Sequence, residues 1–475
     1  MNDWYAPASL VGGVEVRADR TFDVLYPYTG EVAGSAPVLG REDVRRALDL
    51  AAAARVALDR FERSTVLQRV ADAIDGQREP LAALITRESG LSLKDTLHET
   101  GRAADVFRAA AAEALRDDGL SFAGDVSPHG RARRSHTLRE PVRLLAAITP
   151  FNHPLNQVAH KVAPAIAVGA PIVVKPSERT PLAALWLARA VLEAGYPADA
   201  LAVVTGDRDE VAGELLTHPE VEVVSFTGGV AVGKQIAARL GYRRAVLELG
   251  GNDPLLVLED ASLEDAAALA IRGATANSGQ RCTAVKRIVA VGTAAEELAN
   301  WLAECAAELV VGDPLGPGTD VGTLIDEDAA RLVERRVRDA VAAGAELVYG
   351  GERDGALLVP PVLDRVPPDA ELVHEETFGP AVPIVRVRDL DEALAVANGT
   401  AYGLSAGVVS NDLRAITRCI RELRCGTVNV NEVPGWRTEA QPFGGVKDSG
   451  LGVKEGVVEA MRAYTTVKLY SFPWS

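Results

Sequence analysis

The sequence predicts an α/β protein built on doubly wound, mostly parallel sheets. From Pro141 onward, short apolar runs typical of buried strands alternate with segments of helical periodicity. Before Gly251 the runs are VRLLAAI (142–148), PIVVK (171–175), LAVV (201–204), VEVVSF (221–226) and AVLEL (245–249). The alternation resumes after Gly251 with LLVL, RIVAV, AVPIVRV, SAGVVS and TVNVN. Two such blocks in 475 residues predict two α/β domains, with ligands at the carboxyl ends of the strands.

The segments outside these blocks carry other signals. Residues 1–40 have turn signals at Pro27 and Gly30 and are predicted to form an arm with short strands. From Glu42 to about Gly119, apolar residues recur at helical spacing. Residues 120–140 are polar and basic, which predicts either a solvated loop or a projecting hairpin. The run YTTVKLYSF (464–472) is suited to complete a sheet in another domain or subunit.

Composition excludes several classes of function. The net charge of -16 disfavours a nucleic-acid partner. Four cysteines without a CxxC pair predict a reducing compartment, and neither they nor the seven histidines show metal-ligand spacing. No basic segment followed by an apolar run opens the chain, and no apolar stretch approaches the roughly 20 residues that span a bilayer. We therefore expect a cytoplasmic protein with no metal and no membrane partner.

The candidate nucleophile is Cys282, in the segment SGQRCTA (278–284) between a predicted helix (261–275) and a predicted strand (286–291). A free cysteine has a pKa of about 8.5, which a nearby cation or oriented N–H groups can lower. Cysteine is the side-chain nucleophile least handicapped at neutral pH. The alternative is a buried, inert cysteine, which is common for a lone residue of this type.

Polar motifs follow the strands of the first block. In ITPFNHP (148–154), Asn152 is a candidate donor to a developing oxyanion or else a helix cap. In KPSE (175–178), Lys175 and Glu178 are candidates to hold a ribose, or Ser177 and Glu178 open the next helix. FTGGVAVGK (226–234) is predicted to be a strand, a glycine turn and a helix start, whose backbone amides are candidates to bind a pyrophosphate, although it matches neither GxGxxG nor the P-loop pattern.

Three further motifs carry carboxylates or glycines. In ELGGND (248–253), Glu248 is either a general base with a raised pKa or a surface residue before a loop. EETFGP (375–380) pairs carboxylates with an aromatic ring and is a candidate second ribose site or a charged turn. PFGGVKDSG (442–450) is a glycine-rich loop or a plain turn cluster.

Taken together, TPFN, KPSE, FTGG, ELGGND, GQRCTA, EETFGP and PFGGVKDSG resemble the aldehyde dehydrogenase superfamily, over residues 20 to 470 or so. The resemblance implies the aldehyde dehydrogenase-like fold, with two doubly wound α/β domains and a β-hairpin oligomerisation element. It implies a cofactor domain (1–118 and 141–246), a catalytic domain (247–453) and the oligomerisation element (119–140 and 454–475), in a homodimer or homotetramer. A non-enzymatic member of the fold is the alternative that the intact Cys282, Glu248 and Asn152 disfavour.

The resemblance also implies roles for single residues. Cys282 attacks the aldehyde to give a thiohemiacetal, the Asn152 amide and the Cys282 N–H hold its oxyanion, hydride passes to NAD, and Glu248 activates water against the thioester. Glu178 favours NAD over NADP. Ala212 departs from the family pattern, in which glycine is frequent. The implied cofactor-binding residues are Ile148, Thr149, Pro150, Phe151, Lys175, Ser177, Glu178, Phe226, Thr227, Gly228, Gly229, Val232, Leu249, Glu376 and Phe378.

The implied substrate-binding residues are Arg102, His153, Arg281, Thr283 and Arg437. Three arginines converging on one cavity predict an anionic aldehyde whose dianionic phosphonate or phosphate group is held through bidentate, charge-assisted bonds. The alternative is that Arg102 pairs with Glu99 or Asp105, and Arg437 with Glu439, all in solvent.

One subgroup of the family carries a similar pair of motifs. FNHPLNQVAHK with GQRCTAVKR is similar to phosphonoacetaldehyde dehydrogenases, which implies the substrate phosphonoacetaldehyde. Non-phosphorylating glyceraldehyde-3-phosphate dehydrogenase, which usually uses NADP, and lactaldehyde or other small-aldehyde dehydrogenases are the alternatives.

Overall fold

The computed structural model describes residues 4–474. Its α-helices, α1 to α15 in chain order, are Arg41–Ala53, Arg60–Gly76, Arg78–Ser89, Leu93–Ala114, Asn156–Val168, Leu182–Glu193, Arg208–Thr217, Val230–Leu240, Leu263–Thr275, Ala294–Ala307, Glu327–Ala342, Glu371–His374, Leu390–Asn398, Leu413–Glu422 and Val457–Ala463. Two short 3₁₀ turns span Ala276–Gly279 and Lys447–Ser449.

The strands, β1 to β21 in chain order, are Ser9–Val11, Val14–Val16, Thr21–Leu25, Val32–Pro37, Ser121–Ala123, Arg133–Pro141, Leu145–Ile148, Ile172–Lys175, Leu201–Val203, Val223–Thr227, Arg244–Glu248, Pro254–Val257, Arg287–Val291, Glu346–Tyr349, Arg353–Asp354, Leu357–Leu358, Val362–Asp364, Val382–Val387, Ser405–Val409, Thr427–Val430 and Thr465–Pro473.

The first alternating block forms a sheet in the order β11-β10-β7-β8-β9-β1-β2. The five strands β7 to β11 run parallel, and the N-terminal arm adds β1 and β2 antiparallel at the edge. Buried residues line both faces, so the sheet has helices on each side, which is why its strands read as continuous apolar runs.

The second block forms a sheet in the order β14-β17-β18-β13-β12-β19-β20. All neighbours pair in parallel except β14, which is antiparallel to β17. Its two faces carry separate apolar clusters. The predicted pair of doubly wound sheets is therefore present.

The basic segment and the C-terminal run make one small sheet in the order β21-β6-β5. Of the two expectations for residues 120–140, the hairpin is the one observed. The run 464–472 pairs within the same chain, since β21 lies antiparallel to β6 from Thr465↔Pro141 to Pro473↔Arg133.

Strand register positions the site. The pairs Ile148↔Lys175, Phe226↔Ile148 and Thr227↔Glu248 place the ends of four parallel strands side by side. Each of the polar motifs that follow these strands is thus brought to one edge of the sheet, as expected for parallel strands. Between residues 4 and 474, no helix has the length and apolar character needed to cross a bilayer.

Candidate active site

The nucleophile segment leaves α9 through three consecutive left-handed residues. Asn277 has φ 55° and Ser278 has φ 53°, and Gly279 has φ 70°. Non-glycine residues avoid this region, although asparagine tolerates it better than most. At Gly279 a Cβ atom would lie 2.2 Å from the carbonyl carbon of Gly379. The backbone therefore turns sharply between α9 and the segment that carries Cys282.

Groups from three distant parts of the chain hold this turn. The Asp95 carboxylate accepts a hydrogen bond from Asn277 N at 3.0 Å, and Asn277 Nδ2 donates to the Asn152 carbonyl at 3.0 Å. Asn152 Nδ2 in turn donates to the Gln280 carbonyl at 2.8 Å. Gln280 Oε1 accepts from Ile325 N at 2.9 Å. The Asn152 amide is thus fixed beside the nucleophile segment, with its second N–H left over.

The pKa of Cys282 is set mainly by burial. Burial, with the charges of Glu376 and Asp253, raises the pKa of the Cys282 thiol to about 12, although Lys286 and Arg281 act in the opposite direction. The nearby cations can lower this pKa, but their effect is outweighed by the cost of removing the thiolate from water. Cys282 is nevertheless only half-buried and lines a cavity.

That cavity, of about 800 Å³, runs along the edge of the first sheet. Every residue assigned to the cofactor by the sequence lines it: Ile148, Thr149, Pro150, Phe151, Lys175, Ser177, Glu178, Phe226, Thr227, Gly228, Gly229, Val232, Leu249, Glu376 and Phe378. Ala212 also lines it. Asn152, Glu248 and Cys282 complete the wall at one end.

The residues of this cavity fit a dinucleotide. The first turn of α8 follows Gly229 and receives no side-chain cap, so its backbone N–H groups are open to a pyrophosphate. Lys175 Nζ donates to Glu178 Oε1 at 2.6 Å, at the far end. Near Cys282, Glu376 Oε1 accepts from Gly251 N at 3.0 Å. The Phe151 and Phe378 rings meet edge to face at 5.8 Å, which leaves a flat apolar wall beside that carboxylate.

Glu248 is a buried carboxyl with no hydrogen-bond partner on either oxygen. Burial, reinforced by the charge of Glu455, raises the pKa of Glu248 well above its usual range, against the effect of Lys161. Gly444 leaves room for it, since a Cβ there would lie 2.5 Å from Glu248 Oε1. These properties suit a side chain that swings and takes up a proton.

A second cavity, of about 720 Å³, lies on the other side of the nucleophile segment. Arg102, His153, Arg281 and Arg437 line it, as expected for substrate-binding residues. Thr283 does not, because it is buried beneath Gly435, whose Cβ position is 2.3 Å from Thr283 Oγ1. The assignment of Thr283 to the substrate stays a prediction.

Two of the three arginines are paired, but not in solvent. Arg102 Nε contacts Glu439 Oε1 at 2.6 Å and Arg437 Nη1 lies 3.6 Å from Glu439 Oε2. The alternative pairing of Arg102 with Glu99 or Asp105 is absent among the ion pairs of residues 4–474. Glu439 was foreseen only as a solvated partner of Arg437, whereas both are buried.

Arg281 is different. Its guanidinium makes no hydrogen bond or ion pair to any residue of the described part of the chain. Burial and the charge of Arg102 lower its pKa, while Asp95 acts in the opposite direction through space. A cation held in a cavity without a partner is unfavourable unless a ligand supplies the counter-charge.

His153 lines the substrate cavity as an uncharged side chain. Burial lowers the pKa of His153, so its imidazole is neutral at pH 7. Its Nδ1 is 3.2 Å from Asn277 Nδ2 and 3.6 Å from Glu99 Oε2. Within residues 4–474, no group of histidine, cysteine, aspartate and glutamate is arranged to hold a metal ion.

Comparison with known proteins agrees with this geometry. A sequence model of the Aldehyde dehydrogenase family matches residues 14–470. The chain is 38% identical to 3-sulfolactaldehyde dehydrogenase of Priestia aryabhattai, over 96% of each chain. It is 38% identical to sulfoacetaldehyde dehydrogenase of Neptuniibacter caesariensis, covering 86% of this chain and 89% of that one. NADP-dependent glyceraldehyde-3-phosphate dehydrogenase of Streptococcus equinus is 36% identical, over 93% of each.

Solved structures show the same fold. NAD-dependent aldehyde dehydrogenase from Sinorhizobium meliloti superposes with a TM-score of 0.94 at 34% identity, over 100% of this chain and 96% of that one. NADP-dependent glyceraldehyde-3-phosphate dehydrogenase from Bacillus halodurans superposes with a TM-score of 0.95 at 34% identity, over 98% of this chain and 99% of that one. The predicted fold class is confirmed. This chain belongs to the aldehyde dehydrogenase family and is an oxidoreductase that acts on an aldehyde with a nicotinamide cofactor.

Proposed function

We propose that this chain oxidises a short aldehyde with an anionic head group to its carboxylate, with NAD as the acceptor. The observation that carries the proposal is the unpaired guanidinium of Arg281 in the substrate cavity. Arg281 and Cys282 are consecutive, and their Cα atoms are about 3.8 Å apart. Arg281 lines the second cavity and Cys282 the first, and we propose that a small aldehyde contacts the cation with its anionic end and the thiol with its carbonyl end.

The names of similar proteins support this class of substrate. Two relatives are named for sulfonated aldehydes and one for a phosphorylated aldehyde. Sulfonate, phosphonate and phosphate share a tetrahedral anionic group that a guanidinium binds through two hydrogen bonds. Phosphonoacetaldehyde, the substrate expected from the sequence, remains a proposed substrate within this class, beside the sulfonated aldehydes.

The proposed reaction begins with attack of Cys282 Sγ on the aldehyde carbon. The new carbon–sulfur bond gives a thiohemiacetal. Its oxyanion is stabilised by the Asn152 amide and the Cys282 backbone N–H. NAD, when bound, accepts the hydride that converts this intermediate to a thioester. Asn152 is suited to the role because its Nδ2 is already tied to the Gln280 carbonyl, which fixes the orientation of its remaining N–H.

Glu248 is proposed to activate water against the thioester. The raised pKa of Glu248 makes its carboxylate a stronger base toward water than an exposed glutamate. Its two oxygens have no partners to be displaced when the side chain swings. Hydrolysis then releases the carboxylate product and returns Cys282 as a thiol.

The preference for NAD rests on Glu178. Its carboxylate, held by Lys175, lies in the part of the cavity proposed for the adenosine ribose. There it accepts hydrogen bonds from ribose hydroxyls and repels a 2′-phosphate. The second candidate function, non-phosphorylating oxidation of glyceraldehyde 3-phosphate, shares the anionic substrate. A relative with that activity is NADP-dependent, so cofactor preference separates the two.

We also propose that the chain assembles as a homodimer or homotetramer through the sheet of β5, β6 and β21. Val467, Leu469 and Phe472 of β21 are each more than half exposed, as is Trp474 beyond it. An exposed apolar strand of this kind marks an interaction surface. Sedimentation analysis checks the assembly, and a monomer at micromolar concentration would contradict it.

Initial rates on a set of aldehydes test the proposed activity. Sulfoacetaldehyde, phosphonoacetaldehyde, glyceraldehyde 3-phosphate, lactaldehyde and propanal are each assayed with NAD and with NADP. We expect kcat/KM to be highest for an anionic aldehyde with NAD. Equal values for propanal and all anionic aldehydes would contradict the proposed substrate class.

A further inference from the structure

Glu439 is the centre of a buried cluster on the wall of the substrate cavity. Three side chains from separate elements converge on it: Arg102 of α4, His160 of α5, and Arg437 two residues before it. His160 Nε2 is 2.7 Å from Glu439 Oε2. Arg437 also lies over the Phe443 ring at 4.4 Å, and its Nη1 is buried without a hydrogen-bond partner. Arg102 and Arg437 nevertheless both lie within ion-pair distance of Glu439, which distinguishes them from Arg281.

The charges of this cluster are well defined. Burial and the charge of Arg437 lower the pKa of His160, which leaves the ring neutral at pH 7. Burial alone would raise the pKa of Glu439, but His160, Arg102 and Arg437 hold it well below its usual range. The cluster consists of two guanidinium groups and one carboxylate.

Two more carboxyl groups face the cavity from α4. Asp95 accepts hydrogen bonds from Asn277 N and from the Ser92 hydroxyl, and burial raises its pKa to about 6. Glu99 Oε1 accepts from Leu155 N and Asn156 N at the start of α5.

The charges of the whole wall can then be added. At pH 8 and above, three arginines face three carboxylates: Arg102, Arg281 and Arg437 against Asp95, Glu99 and Glu439. At the rim, Arg272 pairs with Glu432, Asp105 pairs with Arg108, and His98 is kept neutral by burial. The inner wall is close to neutral, with one guanidinium unpaired.

We propose that Glu439 is a specificity-determining residue, which restricts the head group to a single negative charge and so selects a sulfonate over a dianionic phosphonate. This deepens the proposed function and rests on it. One charge on the ligand is matched by Arg281. A second charge would need Arg102 or Arg437, and the Glu439 carboxylate already offsets part of the charge of that pair. The residue acts through these arginines and does not itself contact the substrate.

The test compares two head groups on the same aldehyde chain. Sulfoacetaldehyde, phosphonoacetaldehyde and propanal are assayed with NAD at pH 8.5, a pH chosen to keep the phosphonate dianionic. For the native enzyme we expect kcat/KM to be at least about tenfold higher for the sulfonate, equivalent to about 1.4 kcal/mol. Propanal turnover in each variant reports whether the nucleophile and cofactor sites remain intact.

Two substitutions with opposite expected effects on head-group preference test the role of Glu439. Glu439→Gln removes the carboxylate at constant volume and frees the two arginines, so the phosphonate-to-sulfonate ratio of kcat/KM rises at least about tenfold. Arg102→Gln removes one of the positive charges that offset the Glu439 carboxylate, so the phosphonate-to-sulfonate ratio of kcat/KM falls. If Glu439→Gln does not fold, Arg102→Gln still gives a signed result.

The outcomes are distinguishable. A native preference for the phosphonate, an unchanged ratio in the variants, or a shift of the same sign in both would overturn the role of Glu439. If the native enzyme prefers propanal to both anionic aldehydes, the proposed function itself fails.

Discussion

Replacement of Arg281 by glutamine tests the anion site most sharply. The guanidinium lies in the substrate cavity with no protein partner in the described residues. A hydrogen bond to a charged group contributes about 1.5–3 kcal/mol. Loss of a bidentate contact to the head group should therefore reduce binding by about 3 kcal/mol, which lowers kcat/KM for an anionic aldehyde about 150-fold.

The same substitution has a second, independent signature. Arg281 is a partly buried cation whose pKa is lowered by desolvation, so its removal relieves an unfavourable charge. We expect the Tm of the empty Arg281→Gln protein to stay level or rise while its activity falls. A residue with a purely structural role would lower both together.

Arg272→Gln is the matched control. Arg272 lines the rim of the same cavity, but its side chain is 61% exposed and pairs with Glu432 at 2.5 Å. Exposed pairs contribute about 0–1 kcal/mol, so kcat/KM should change less than about fivefold. Steady-state kinetics with an anionic aldehyde and with propanal decide the matter. Equal losses on both substrates in Arg281→Gln would refute the reasoning.

Two further predictions concern the nucleophile segment. Because burial raises the pKa of Cys282 to about 12, and the thiolate is the reactive form, the rate of Cys282 alkylation by iodoacetamide in the empty enzyme should rise steadily from pH 7 to about 10. The alkylation rate is followed by peptide mass spectrometry. A rate that reaches a plateau near pH 8.5 would show that Cys282 has the pKa of an ordinary thiol. Gly279→Ala places a Cβ 2.2 Å from Gly379 at φ 70°, so urea unfolding should show a loss of about 2–5 kcal/mol. Gly213→Ala, in a helix with nothing within 4 Å of the new Cβ, is its control and should be neutral or stabilising; a similar loss in both would contradict the argument.

The sequence predicted the features that depend on local pattern. Alternating apolar runs indicated the strands of both sheets, and the motif after each strand indicated which side chains reach the cofactor cavity. Parallel register then brings Ile148, Lys175, Thr227 and Glu248 to the same edge, as observed.

Features that depend on long-range contacts could not be read in this way. Glu439 meets Arg102 across 337 residues, and Asp95 meets Asn277 across 182. Nothing near Asp95 in the chain signals its partner. For Asn277 there was a weak local signal, since asparagine before a serine-glycine pair suits left-handed backbone. The pKa of Cys282 could not be predicted because burial, which outweighs the adjacent arginine, is a property of the folded chain alone.

The covalent step on Cys282 can be observed directly with Glu248→Gln. This substitution should retain one turnover of NADH formation and then stall at the thioester. Mass spectrometry of the quenched enzyme, after mixing with sulfoacetaldehyde and NAD, is expected to show one acyl group per chain on the peptide that contains Cys282. An enzyme that carries no acyl group, or carries it on Cys305, Cys419 or Cys425, would contradict the assignment of Cys282 as nucleophile and Glu248 as the base that releases the product.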